Sequence, residues 1–282
     1  MTTPLAPVIE AVEGAAVLDP PAKALGKWLR GALGREPLRD ALSGTWQGHA
    51  LHPALTDVVI GALLSATLLD LLGGDDDERA RRRLVGVGVA AAVPTVLSGA
   101  NDWADSEAAD DAVRRAGLVH ALSNVTALTL YAASLGARRG TALRLGGAAA
   151  LSVAGYLGGH LSFTKGVGPA QTVYDPGPAD WTPAADAARL RDREPLRVIV
   201  DDTPVLLLRS GDEIFAIHER CSHRGCWLSE GSVEGDAIVC ACHGSRFSLR
   251  DGAVLRGPAT APQPAFEVRV RDERVELRLS TR

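Results

Sequence analysis

Aromatic side chains are scarce in this 282-residue sequence (4%), methionine occurs once and cysteine four times. Four cysteines in a chain of this length are too few to scaffold a disulfide-dense secreted module. A formal net charge of −4, from 30 basic against 34 acidic side chains, excludes a nucleic-acid binder held by bulk positive charge. No Asp/Glu-x-x-His-x-x-x-x-His run occurs, which argues against an oxygenase that houses its own mononuclear iron. The opening stretch MTTPLAPVIEAVEGAAV has neither the basic start nor the apolar run of a cleavable signal sequence. Mean hydropathy is nevertheless slightly positive at +0.06. With 23% charged residues, the apolar ones must be concentrated.

They lie in the first half. Windows 84–100, 116–137 and 145–164 contain no Asp, Glu, Lys or Arg, and window 54–72 is as apolar but holds Asp57 and Asp70. About 20 helical residues cross a bilayer core of about 30 Å, and these windows lack the polar face a soluble helix needs. The spacing predicts a four-helix transmembrane domain over 51–165, with Pro94 kinking its second helix. Before it, residues 1–50 form a tail containing AKALGKWLRGALG, in which Leu25, Trp28, Leu29 and Leu33 recur at helical spacing. This reads as an amphipathic helix lying at the membrane interface or, equally, as a capping helix on the bundle.

After a linker rich in Pro, Gly and Asp (166–184), short β-type runs separated by turn signals fill 185–282 and predict a small all-β domain. All four cysteines lie between 221 and 242. Cys221-x-His223 is followed after 16 residues by Cys240-x-x-His243. Two thiolates and two imidazoles on two loops can hold a tetrahedral zinc or an iron–sulfur cluster, and spacing alone leaves both open. The wider pattern C-x-H-x-G…C-x-x-H-G-S-x-F, followed by Gly257-Pro258, resembles the Rieske [2Fe–2S] domain. That resemblance implies Cys221 and Cys240 on one iron and His223 and His243 on the other. Ser245 is implied to bond a bridging sulfide, with Gly257 and Pro258 in a loop covering the cluster. It also implies a disulfide between Cys226 and Cys242, as in Rieske proteins of cytochrome bc-type complexes. Rieske ferredoxins and ring-hydroxylating oxygenases usually lack that bridge. Two departures weigh against bc-type quinol oxidation. Arg224 stands where that type carries an apolar docking residue, and Phe247 where it carries a tyrosine bonded to a ligand. The lost hydrogen bond implies a potential between those of Rieske ferredoxins and respiratory Rieske proteins.

Of the remaining histidines, His218 ends a β run and is expected at the surface. His49, His52, His120 and His160 fall towards one side of the threaded helices, together with Asp57. Ionisable groups at membrane depth are costly and point to function. The open readings are axial ligands of a b-type haem, a quinone-headgroup or other metal site, or interfacial histidines satisfied by water and backbone. GHALHPALTDVVIGALLSATLLDLLGG, SGANDWAD and GYLGGHL resemble a bacterial family of predicted four-helix membrane proteins of uncharacterised function, and its fusion to a Rieske domain resembles actinobacterial proteins.

The sequence thus predicts a multi-domain α plus all-β protein of the bacterial cell membrane. The expected cofactor is a [2Fe–2S] cluster, with a b-type haem as a second candidate. Expected partners are the bilayer and a redox protein or quinone, with homodimerisation open. Seven arginines after the first and third helices (79, 81, 82, 83, 138, 139, 144) stand against five nearby basic residues on the other side (35, 39, 114, 115, 165). This tilts the β domain outward. The first functional expectation is one-electron transfer between the cluster and a quinone or haem. The second is a membrane-tethered ferredoxin serving a separate oxygenase or reductase, and the third a redox sensor.

Overall fold

A computed structural model describes residues 5–280. The chain divides into two compact units: residues through Leu42 together with Ala50–Val167, and Ser43–His49 together with the chain from Gly168 onward.

In the first unit, α1 (Ala6–Gly14), α2 (Asp19–Leu33) and α3 (Leu38–Ser43) precede four long helices. These are α4 (Leu51–Leu72), α5 (Glu78–Ser106), α6 (Asp111–Gly136) and α7 (Thr141–Gly159). α4 pairs with α5, and α6 with α7, as two hairpins. Asp110 caps α6 by accepting from the Val113 amide at 2.9 Å, which satisfies one of the orphan donors of the first turn. α4, α5 and α6 are each long and apolar enough to cross a membrane. The fourth expected span, α7, is helical but is not among them. It is 19 residues long, and Arg144 and its glycines dilute its hydropathy.

Leu63, Ala66, Val85, Ala127, Tyr131 and Leu151 fill the space between the helices. Leu64, Leu68, Leu71, Val93, Val96, Leu122 and Val125 point outward and are exposed. An apolar exterior of this extent suits lipid rather than water. The side chain of Asp70, one of two charges in the first apolar window, is buried, and Arg144 grips it with Nε and Nη2, both at 2.6 Å. Arg81 lies 3.4 Å from the same carboxylate. An unpaired carboxylate here would be expensive; this one has two guanidinium partners.

α2 docks on α5 and α6 through Ala22, Gly26 and Leu29, while Trp28 stays 66% exposed. A Cβ on Gly26 would collide with the Glu107 side chain, so the close approach requires glycine. Arg30 donates to Glu107 at 2.5 Å and to the Ala104 carbonyl at 2.8 Å. Arg115 holds Asp19 with two bonds of 2.8 Å. The tail helix is therefore a cap on the bundle with its tryptophan turned outward.

The second unit is antiparallel β. One sheet orders β1 (Thr182–Asp186), β10 (Arg274–Leu279) and β9 (Phe266–Arg271). A second orders β2 (Leu196–Val200), β3 (Thr203–Ser210) and β4 (Glu213–His218). The third orders β5 (Ser232–Glu234), β6 (Ala237–Val239), β7 (Arg246–Ser248) and β8 (Val254–Arg256). β3 is buried from Thr203 to Leu208, as its unbroken apolar run demands. Leu206 and Leu208 face a core with Phe215, Ile217, Leu228, Ile238 and Phe247. Val205 and Leu207 face another with Val198, Phe266, Val275 and Leu277. The first core runs directly beneath Cys221 and Cys240.

Candidate metal centre

Two loops of matching design carry the cysteine–histidine motif. The loop after β4 starts at Cys221 and the loop after β6 at Cys240. In each, the cysteine amide donates to a carbonyl five residues on: Cys221 N to Cys226 O at 2.8 Å, and Cys240 N to Ser245 O at 2.9 Å. In each, the glycine four residues on donates back to the cysteine carbonyl, Gly225 to Cys221 at 2.8 Å and Gly244 to Cys240 at 3.0 Å. Both glycines have left-handed backbones, φ 74° and 78°, which only glycine adopts without strain. The motif glycines are therefore the corners of two equivalent turns.

The turns bring the donors together. Cys221 and Cys240 are both 2% exposed and hydrogen-bonded sulfur to sulfur, a contact that holds the Cys221 thiol up while lowering that of Cys240. The His223 and His243 rings meet edge to face with centroids 5.1 Å apart. Cys226 and Cys242 form a disulfide, S–S 2.06 Å, that ties one loop to the other. Its sulfurs lie within 4.8 Å of the Cys240 sulfur, but a disulfide sulfur is no thiolate donor, so those three cysteines are not themselves a metal site. Two buried thiols and two adjacent imidazoles are a donor set suited to a [2Fe–2S] cluster with mixed ligation.

A third loop, Gly257–Ala259, is fastened to the other two. Ser245 Oγ accepts from the Ala259 amide at 3.0 Å, leaving its own proton to donate elsewhere. Ser222 Oγ donates to Ala261 O at 2.7 Å, and Arg256 Nη2 donates to Gly244 O at 2.8 Å. Phe247 is fully buried in the core below the cysteines, where it packs and offers no hydroxyl. Arg224 is half-buried within the first ligand loop.

His218 departs from expectation. It is fully buried, not at the surface, because the last four residues of β4 are covered on both faces. Its Nδ1 accepts from the Arg220 amide at 3.1 Å and its Nε2 faces Asp175 at 3.3 Å. Burial depresses its pKa, and the Asp175 partner opposes that in part. Glu219 beside it is also buried, with its carboxyl bonded by Ser229, and burial raises its pKa. The run EIFAIH hides the burial of His218, since strand periodicity predicts one exposed face.

The membrane histidines separate. His49 is exposed and belongs to the second unit, and Asp57 is exposed on α4. His160 bonds Glu13 at 2.7 Å, a carboxylate also held by Lys165 at 2.7 Å. His52 and His120 share a different arrangement inside the hairpins. His52 Nδ1 donates to Thr95 O of α5 at 3.0 Å, and His120 Nδ1 to Ala154 O of α7 at 2.8 Å. Four residues beyond each carbonyl a glycine, Gly99 or Gly158, lies against the ring; an added Cβ would stand 2.6 Å from His52 Cε1 or 3.1 Å from His120 Cε1. His120 Nε2 accepts from Asn124 at 3.1 Å.

Residues 180–267 match the Rieske [2Fe-2S] domain family, and residues 48–171 match the family described as predicted membrane protein (DUF2231). The anthranilate 1,2-dioxygenase ferredoxin subunit of Burkholderia cepacia is 34% identical over 35% of this chain and 92% of its own length. The 3-phenylpropionate/cinnamic acid dioxygenase ferredoxin subunit of Escherichia coli K12 is 40% identical over 31% of this chain and 82% of its own. Among solved structures, the ferredoxin of carbazole 1,9a-dioxygenase from Nocardioides aromaticivorans IC177 is 28% identical, covering 36% of this chain and 100% of that chain, with a TM-score of 0.34.

Proposed function

The chain belongs to the Rieske [2Fe–2S] family, joined to a predicted membrane protein domain, and from that premise we propose a membrane-tethered one-electron carrier serving a separate oxygenase- or reductase-type partner. Cys221 and Cys240 would hold one iron and His223 and His243 the other. A cluster so held supplies reversible one-electron transfer, at a potential raised by the two neutral imidazoles. The matched pair of loops carries this reading. Their backbone closures and the disulfide fix four donors before any metal arrives, and preorganisation of that kind limits rearrangement between redox states. The buried core around Phe247 keeps water from the two sulfurs, while Ser245 has a hydroxyl proton available for a sulfur acceptor.

Four spans, α4 to α7, would anchor the carrier in the bacterial cell membrane with the β unit outside. The arginine distribution supports that side, and so does the disulfide, which persists in oxidising compartments. A second reading, electron exchange with a quinone or haem in the membrane half, is favoured by one observation. His52 has its Nδ1 fixed by a backbone carbonyl, which leaves Nε2 unprotonated as an acceptor or ligand.

The test is low-temperature EPR and visible spectroscopy of the full-length protein in mild detergent. A Rieske signal in the dithionite-reduced sample, lost in Cys240→Ser and His243→Ala, is expected. Stoichiometric zinc without iron would overturn the proposal. Sharp reduced haem bands abolished by His52→Ala would promote the second reading.

A further inference from the structure

Several arginines of the β unit are neutralised where they stand. Arg246, Arg250, Arg269, Arg274 and Arg278 each have a carboxylate within 4.0 Å. Arg197 and Arg220 do not. Among the described residues neither has an ion pair, and both lie over one ring: Arg197 at 4.8 Å and Arg220 at 5.1 Å from the Trp227 centroid. Both arginines are exposed and Trp227 is half-buried. Glu219, whose carboxyl feels Arg197, is fully buried and bonded by Ser229, so it presents no carboxylate to an incoming molecule; the exposed acid that acts on the same carboxyl is Glu230. On the outward face of β2, two residues beyond Arg197, Ile199 is 63% exposed. β2 is itself the edge of its sheet.

This group sits beside the metal centre. Arg220 immediately precedes Cys221, and Trp227 immediately follows Cys226. The two flanks are bridged, Arg220 to Trp227, directly behind the bond from Cys221 N to Cys226 O. Resting on the electron-carrier reading above, we infer that Arg197, Trp227 and Arg220 form the docking platform for an acidic face of a redox partner protein. The chemistry of the patch favours that partner. Two guanidiniums stacked on an aromatic ring have their planes ordered and their N–H edges free for carboxylates. Tryptophan and arginine are also the residues in which interface binding energy concentrates. An exposed isoleucine alongside supplies apolar area without charge. The local sign is opposite to that of the whole chain, whose net charge is −4, so the platform steers where the molecule as a whole would repel.

That reversal makes the inference testable without knowing the partner. The full-length protein in a non-ionic detergent is reduced by one electron, and its reoxidation is followed by stopped flow with two small oxidants of opposite charge, ferricyanide (3−) and tris(phenanthroline)cobalt(III) (3+). Each oxidant takes one electron from the carrier, becoming ferrocyanide or the cobalt(II) complex, and no proton is needed. The platform predicts that ferricyanide reoxidation slows as ionic strength rises, as for opposite charges in contact. In Arg197→Gln/Arg220→Gln the ferricyanide rate at low salt should fall about tenfold, the lower end of electrostatic steering. The cobalt rate should hold or rise. An increase of the ferricyanide rate with salt in the unmodified protein would overturn the platform, because net charge would then dominate. So would equal rates in the variant and the unmodified protein. The EPR spectrum of the same samples separates the two levels: an intact Rieske signal with the wrong salt dependence refutes the platform alone, whereas no signal refutes the carrier and the platform together.

Discussion

The disulfide between the ligand loops should contribute strongly to the stability of the β unit. It links positions 16 apart, and closing a loop of that length removes about 3 kcal/mol of unfolded-chain entropy at 25 °C in the chain-entropy account. For a domain near 100 residues, each kcal/mol moves the melting midpoint by about 4–8 °C. Replacing both cysteines, Cys226→Ser/Cys242→Ser, should therefore lower the midpoint of the β unit by roughly 12–24 °C. Serine is tolerable at both sites, since Cys242 is exposed and Cys226 half-buried. The assay is thermal loss of far-UV signal and of cluster absorbance in the full-length protein, with and without dithiothreitol. Reductant should shift the unmodified protein as the double substitution does, and should leave the variant unmoved. Alkylation of the unfolded, unreduced protein should label Cys221 and Cys240 only. A midpoint change below about 2 °C, with the bridge confirmed by that labelling, would refute the reasoning. It would mean that the backbone closures of the two turns and their ties to the Gly257–Ala259 loop already hold the loops in the absence of the bridge.

Four further outcomes follow from particular contacts. His218 has a depressed pKa, so its contribution to stability is present above the ordinary value of 6.5 and is lost as pH falls towards its folded value. Urea unfolding should weaken below about pH 6.5, with a slope of at most about 1.4 kcal/mol per pH unit from this group, and His218→Gln should flatten that slope. In α5, Gly99→Ala should destabilise by about 1–3 kcal/mol through the crowded His52 ring, whereas Gly86→Ala, with nothing within 4 Å, should be neutral or stabilising; detergent melting curves compare the two. Arg144→Met should destabilise by less than the about 3–5 kcal/mol of a fully unpaired buried charge, because Arg81 still lies 3.4 Å from the Asp70 carboxylate, and adding Asp70→Asn should recover part of that loss in the same assay. Ser245→Ala removes the acceptor of the Ala259 amide and a hydroxyl donor beside the cysteines, so redox titration should show a lower potential.

The two loop turns around the cysteine–histidine motif were legible because their constraints are local. A cysteine, a glycine four residues on and a histidine between them are enough to specify each turn, and both turns fit inside a contiguous motif. The long apolar windows were legible for a similar reason, since a bilayer imposes one length on every span. α7 was the weak case: its small residues suit close packing between helices but lower its hydropathy. His218 was misplaced because alternation assumes a strand with one wet face, and β4 lies between packed layers at its end. The Arg197–Trp227–Arg220 stack was invisible for another reason. Its members come from β2 and from both flanks of a loop, and only the folded sheet brings Arg197 next to a tryptophan 30 positions away.

The histidine pair of the membrane half shows the same limit more sharply. His52 and His120 are 68 positions apart, while their carbonyl partners, Thr95 and Ala154, are 59 apart. No fixed sequence period connects them, and none is evident in the chain. Yet each hairpin repeats one design: an imidazole on the first helix, a carbonyl on the second, and a glycine one turn further along that admits the ring. Helices that served only to anchor would be more stable with leucine at both positions, because a polar ring in a lipid-facing bundle must find a partner for every nitrogen. His120 has found two, the Ala154 carbonyl and Asn124. His52 has its Nδ1 satisfied by Thr95, with Ser98 Oγ 3.4 Å from the same atom. Thr95 fixes the His52 Nδ1 and leaves Nε2 as the free acceptor, and that one atom is what distinguishes the quinone or haem reading from a plain tether.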